Sequence, residues 1–158
     1  MEYGDPLWPT NVAGDPGTLR ERSVANPAGG RDLAVLGSDL WRRSEIPAVN
    51  GHGTARAIAR FYAAITGRLG EPVLSERLTA ELLAPVATGH DAMLDREVTW
   101  GLGVQFEESY VGMGGLGGSD GLADLERGYS FGYVTRRLAD HDRAISLTET
   151  FESSLCPQ

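Results

Sequence analysis

Val111 to Val134 reads VGMGGLGGSDGLADLERGYSFGYV, a glycine-crowded segment that leads into two short apolar runs separated by Glu126-Arg127-Gly128. The second run alternates Tyr129, Phe131 and Tyr133 at period two, the pattern of a strand with two distinct faces. Glu126-Arg127-Gly128 is short enough to join Gly121–Leu125 and Tyr129–Thr135 as an antiparallel pair, with the glycine free to take a positive φ. Upstream, Leu102, Val104 and Phe106 alternate in the same way, which predicts a third strand over Thr99–Phe106.

Helices are expected on either side of this meander. Ala55, Ile58, Ala59, Tyr62 and Ile65 recur at the three-and-four spacing of one helical face, with Gly53-Thr54 as a start and Gly67 as a stop. Ser75 suits the cap of a second, shorter helix carrying Leu78, Leu82 and Leu83 and closed by Pro85. From Asp142 onward, Ala144, Ile145, Thr148, Phe151 and Leu155 predict a last helix docked on the sheet. The first fifty residues hold five of the eight prolines, and are expected to form an extended, loop-rich arm anchored by Leu7, Trp8, Leu33, Val35, Leu36, Leu40 and Trp41. The expected organisation is thus an arm over 1–50 and one compact α+β unit over 51–158, with an antiparallel sheet of about three strands packed with helices.

Composition narrows the function classes. The chain has 158 residues, 41% of them hydrophobic and 23% charged, which is ordinary for a globular domain. Its net charge of -8 opposes binding to a phosphate backbone, so no nucleic-acid partner is expected. All 14 basic residues are arginine; without lysine, a Walker-type phosphate loop cannot be built. Cys156 is the single cysteine, so neither an internal disulfide nor a thiolate metal cluster is available. The amino terminus has no basic and apolar leader pattern and no window is long and apolar enough for a membrane span, so a cytoplasmic protein away from membranes is expected.

Two further segments follow in a telling order. IPAVNGHGTARAIARFYAAITG, from Ile46 to Gly67, and TWGLGVQF, from Thr99 to Phe106, precede the glycine loop and GLADLERGYSFGYV. Together they resemble the carboxy-terminal part of the serine β-lactamase-like esterases, the class C and penicillin-binding-protein relatives, over roughly residues 20 to 155. In that family a loop of the form HxGxGGS precedes two paired strands; here Met113 takes the place of the histidine. The resemblance implies a partial β-lactamase-like fold with a long irregular amino-terminal arm. It also implies a chemistry in which a lysine-activated serine is acylated, a tyrosine relays the proton, and strand-edge N–H groups hold the oxyanion. This chain contains no Ser-x-x-Lys and no Tyr-x-Asn, so covalent hydrolysis by this polypeptide alone is not expected.

The remaining polar residues suggest a repurposed small-molecule protein, such as a biosynthetic cyclase or isomerase working by shape and non-covalent acid/base chemistry. The alternative is a non-catalytic binding or assembly subunit, including one half of a split serine hydrolase. His52, just before a helix start, and Asp120, at the exit of the glycine loop, are the candidate catalytic residues. Asn50, Trp100, Tyr110, Met113, Gly114, Gly115 and Ser119 are the candidate ligand-binding residues, the aromatic ones as pocket lining. Gly112-x-Gly114-x-x-Gly117 matches a dinucleotide fingerprint in spacing, but a turn and a strand follow it where that motif needs a helix. His90-Asp91 and His141-Asp142 lack a third spaced ligand and read as solvated turns. No cofactor or metal is expected; the expected partners are an apolar small molecule and, because the family's sheet is completed by segments not recognisable here, a second copy or a complementing polypeptide.

Overall fold

The computed structural model describes residues 2–155, so the expectations about Cys156 lie outside the described residues. The arm is not extended. After a short strand β1 (Glu2–Tyr3), it folds into four short helices, α1 (Trp8–Ala13), α2 (Leu19–Val24), α3 (Leu33–Leu36) and α4 (Asp39–Arg43). Each start has a local cause: Pro9 sits in the first turn of α1, where its missing N–H costs nothing, and Thr18, Asp32 and Ser38 accept from Glu21, Ala34 and Trp41 N–H at the heads of α2, α3 and α4. The glycines and prolines therefore divide the arm into capped turns.

Together with Leu138 from late in the chain, this part builds a small core from Trp8, Val12, Leu36 and Trp41, with Tyr3, Leu33, Val35 and Ile46 packed around it. Two of the expected anchors do not take part: Leu7 and Leu40 are 63% and 79% exposed. Both lie beside a buried tryptophan in a helical turn, where neighbouring residues point in different directions.

Helix α5 (Ala55–Ile65) starts where expected, with the Thr54 hydroxyl accepting from Ala57 N–H at 3.2 Å, and its apolar stripe buries Tyr62 and Ile65. Helix α6 (Glu76–Leu82) is capped in the same way by Ser75, which accepts from Leu78 N–H. An antiparallel six-stranded meander follows: β2 (Ala87–Asp91), β3 (Arg96–Trp100), β4 (Gln105–Glu107), β5 (Tyr110–Gly114), β6 (Asp120–Asp124) and β7 (Tyr129–Tyr133), paired in chain order. The two-residue strand β8 (Arg137–Leu138) then pairs in parallel with β1, and α7 (Asp142–Leu155) closes the described chain. No helix among the described residues is long and apolar enough to cross a membrane.

The β6–β7 pairing is as expected, with Leu122 opposite Phe131 and Gly128 at φ +80° in the turn. The single strand expected over Thr99–Phe106 is instead two strands. Gly101-Leu102-Gly103 turns the chain between them, Gly103 has a φ of +79°, and Leu102 is left exposed while Val104 is buried. The apolar alternation there was a coincidence of a turn leucine with a core valine. Strands β2 and β5 carry too few apolar residues to be recognised by alternation.

Register sorts the sheet into two faces. Tyr110, Asp124 and Tyr129 are cross-strand neighbours, as are Gly112, Leu122 and Phe131, and this face receives α7. Phe151 of α7 lies edge-on to Tyr129, with ring centroids 5.1 Å apart. On the opposite face, Val111 and Ala123 pack with Tyr62, Ile65 and Val104 in the second core, so α5 covers that side. The glycine loop between β5 and β6 emerges at the end of the sheet nearest the start of α5.

Candidate functional site

An open groove and a cleft are among the cavities of the surface. The larger, an open groove of about 1120 Å³ along α1, α2 and residues 28–32, contains none of the candidate site residues. The smaller, a cleft of about 530 Å³, runs between residues 51–53, the first turns of α5, and the glycine loop. The chemistry of the second cleft makes it the candidate site, although it is the smaller.

That cleft brings together His52, Met113, Gly115, Ser119 and Asp120, residues separated by more than sixty positions in sequence, with Ile58, Phe61 and Tyr62 of α5 forming its other wall. Asn50 stands behind His52 and accepts from it: its Oδ1 is 2.8 Å from His52 Nε2, and its Nδ2 donates to the Trp41 carbonyl at 2.7 Å and to that of Ser44. It therefore orients the imidazole and ties it to α4. Gly114 lies just behind the cleft wall, where a Cβ would come within 2.6 Å of His141 Nε2.

Trp100 and Tyr110 belong elsewhere. The Trp100 indole N–H donates to Asp91 Oδ2 at 3.1 Å, bracing the β2–β3 hairpin. Tyr110 is three residues before Met113 on the same strand, so strand alternation sends it to the α7 face. There its hydroxyl donates to Glu152 Oε1 at 2.5 Å. The other paired polar motifs also differ from one another. His90 is an exposed residue of strand β2, 3.3 Å from Asp95, whereas His141 is half-buried, its Nε2 lying buried against the glycine loop without a hydrogen-bond partner among the described residues. No group of three metal-ligating side chains occurs among the described residues.

The glycine loop is a braced wall. Gly115 N–H donates to the Ser119 carbonyl at 2.7 Å and Gly118 N–H to the Gly115 carbonyl at 2.9 Å, closing the loop on itself. From behind, Trp8 Nε1 donates to the Leu116 carbonyl at 2.8 Å and Ala139 N–H to the Gly117 carbonyl at 3.3 Å. Gly118 has a φ of +84°, and a Cβ there would meet the Asp140 carbonyl oxygen at 2.2 Å, so only glycine fits. The Ser119 hydroxyl accepts from Thr135 N–H at 3.1 Å, which makes it a brace of the loop. Because Trp8 supplies a bond from the distant arm, Trp8→Phe is expected to speed amide hydrogen exchange at Gly115 and Gly118 about tenfold while leaving the sheet's protection unchanged. Equal exchange in the variant and the parent would show that the arm does not hold the loop.

Tyr62 is the residue that the sequence reading missed as a site group. Its place on the apolar stripe of α5 marks it as core, and it is only 7% exposed. Burial first, and then the negative charge of Asp120, push its phenol up to about 12, so it remains a protonated hydrogen-bond donor at neutral pH.

This arrangement has known counterparts. The β-lactamase family model matches residues 4–151. The chain belongs to the β-lactamase family. The esterase/β-lactamase LipL of Mycobacterium tuberculosis is 36% identical over 121 residues, which are 69% of this chain and 28% of that protein. Among solved structures, a penicillin-binding protein homologue from Caulobacter crescentus aligns with a TM-score of 0.59 at 35% identity, covering 65% of this chain and 31% of its own. A family VIII carboxylesterase aligns with a TM-score of 0.69 at 24% identity, covering 76% and 37%, a likeness of fold alone. This β-lactamase-family chain therefore spans less than two fifths of the length of the relatives it matches. Its mixed α+β architecture, with a six-stranded antiparallel sheet, matches part of the β-lactamase fold.

Proposed function

We propose that this member of the β-lactamase family binds an apolar small molecule in the cleft between α5 and the glycine loop, and does not form an acyl-enzyme by itself. The observation that carries this reading is the composition of the cleft: apolar Ile58, Phe61 and Met113 beside a few convergent polar groups, His52, Tyr62 and Asp120. No lysine is present to activate a serine, Met113 occupies the family's histidine position, and Ser119 is engaged with the backbone. A buried apolar ligand oriented between His52 and Asp120 is a setting for non-covalent proton transfer of the cyclase or isomerase kind, in which orientation alone lowers the barrier substantially.

The test is twofold. A fluorophosphonate probe is expected to leave the isolated chain unlabelled, and native mass spectrometry is expected to show a retained small organic molecule. His52→Ala is expected to reduce that retention about tenfold with a change in Tm of no more than about 2 °C, since the imidazole is exposed and, among the described residues, bonded to Asn50 alone. Covalent labelling, or retention unaffected by the substitution, would refute the proposal.

A second reading, that another polypeptide completes the chain, is favoured by β7. It is the last strand of the sheet, has a partner on one side only among the described residues, and carries no charge or proline within Tyr129–Tyr133 to discourage further pairing. Next to it, α7 leaves Ile145, Leu147 and Leu155 about half exposed. A stable heteromeric or homodimeric mass in solution would support this reading, and a monomer at micromolar concentration would exclude self-association.

A further inference from the structure

Within the proposed small-molecule cleft, and resting on that reading, one pair of side chains specifies the ligand's polar group. We propose that Tyr62 and Asp120 form the polar end of the cleft and bind an alcohol hydroxyl carried by an otherwise apolar molecule. Tyr62 is more than nine-tenths buried as a residue, while its hydroxyl still reaches the solvent of the cleft and makes no hydrogen bond among the described residues. Its ring is held rigidly, since Gly121 lies so close that a Cβ there would be 2.4 Å from Tyr62 Cε2. Asp120 lines the same end of the cleft; its Oδ1 accepts from Gly121 N–H at 2.8 Å, and its Oδ2 has no partner among the described residues. A donor without an acceptor and a carboxylate oxygen without a donor thus line the same largely apolar cleft.

Chemistry then selects the ligand group. A hydroxyl accepts from the Tyr62 phenol and donates to the Asp120 carboxylate, satisfying both at once. An ether or ketone accepts from Tyr62 and leaves the carboxylate unpaired. A carboxylate is repelled by Asp120, and an ammonium cannot accept from the phenol. A ligand that covers these groups and leaves one of them unpaired loses affinity, which is what makes such a site selective. The apolar remainder of the ligand lies along Ile58, Phe61 and Met113, of which the last two are 56% and 40% exposed and so available for contact.

The test uses cyclohexylmethanol and its methyl ether as probes, titrated into the full chain and followed by backbone NMR shifts at Ser119, Asp120 and Gly121. The alcohol is expected to bind about tenfold more tightly than the ether, and Asp120→Ala, which removes the acceptor that only the alcohol can satisfy, is expected to bring the two within about twofold, whereas Tyr62→Phe is expected to weaken both by a similar factor of about three to ten. Asp120→Asn is expected to shrink the same preference. Equal binding of alcohol and ether by the unmodified chain, an alcohol preference that survives Asp120→Ala, or Tyr62→Phe leaving the binding of both probes unchanged, would overturn the inference while leaving the cleft a small-molecule site. Failure of both probes to shift any cleft residue would overturn both readings.

Discussion

Gly132→Ala is expected to destabilise the protein by about 2 kcal/mol, and Gly132→Val by about 3 kcal/mol or more, measured as a fall in the urea midpoint. In an ordinary strand, alanine is better than glycine by a few tenths to about 1 kcal/mol, so the sign here rests on packing. A Cβ at Gly132 would stand 2.5 Å from the Ala55 carbonyl oxygen and 2.9 Å from the Ala59 nitrogen, both backbone atoms of α5. Backbone cannot rotate away as a side chain does; the helix itself must shift. Neighbouring Gly121 makes the same close approach to Ile58 and Tyr62, so any shift of α5 also disturbs the cleft. Gly53→Ala is the control, because a Cβ there meets nothing within 4 Å, and its effect should stay within about 0.5 kcal/mol. A Gly132→Ala variant as stable as the parent would mean that α5 does not lie against β7 as described.

Asp124→Ala is expected to cost about 3 kcal/mol, through loss of the groups that hold the β6–β7 turn. Asp124 has no exposed surface, and its carboxylate accepts from the N–H groups of Glu126 and Arg127 and from Arg127 Nη1, each at 2.8 Å. Burial by itself would raise the Asp124 pKa, but the Arg127 N–H, the Arg127 guanidinium and the Glu126 N–H outweigh it and hold the carboxyl below its usual range. Alongside, Glu152 accepts from Tyr110 and Tyr129, and these two phenols, helped by Arg127, hold it low as well. This cluster fixes α7 to the sheet.

The pH dependence follows from these directions. A carboxyl whose pKa is lower in the folded state stabilises the fold above its unfolded value, and that contribution disappears as pH falls through the folded value. Stability should therefore begin to decline as pH drops below the ordinary 4.5 of Glu152 and then the 3.8 of Asp124. At the alkaline end the phenols act in the opposite direction. Hydrogen bonding to Glu152 raises Tyr110 first, burial raises Tyr129 first, and their contribution is complete below 10 and is lost above it. Glu152→Gln should flatten the acid limb of a urea-midpoint profile, and an acid limb of unchanged slope would show that this carboxyl is not linked to folding.

Much of the carboxy-terminal fold was legible because its cues are local. The stripe Ile58, Tyr62 and Ile65, the caps Thr54 and Ser75, and the alternation Tyr129, Phe131 and Tyr133 each state a period or a hydrogen bond within a few residues. The arm was misread because prolines and glycines were weighed without Thr18, Asp32 and Ser38, the caps that turn a broken segment into short helices. At the site, His52, Met113, Gly115, Ser119 and Asp120 share one cleft, whereas Trp100 and Tyr110 do not. For Tyr110 the parity of β5 held the answer; for Trp100 only its partner Asp91 shows why it lies elsewhere.

By itself, the sequence determined the β6–β7 hairpin, the helix of the Ala55–Ile65 stripe, and the lack of a lysine to activate a nucleophile. These are properties of short segments or of composition, and they hold wherever the segments lie in space. The tertiary structure alone decided that Trp8 braces a loop 108 residues away, that Tyr62 shares its end of a cleft with Asp120, and that Gly121 and Gly132 let α5 approach the sheet. Such contacts join residues that no periodicity relates. They arise when both sheet faces seek cover, and their specificity comes from which atoms then find a partner.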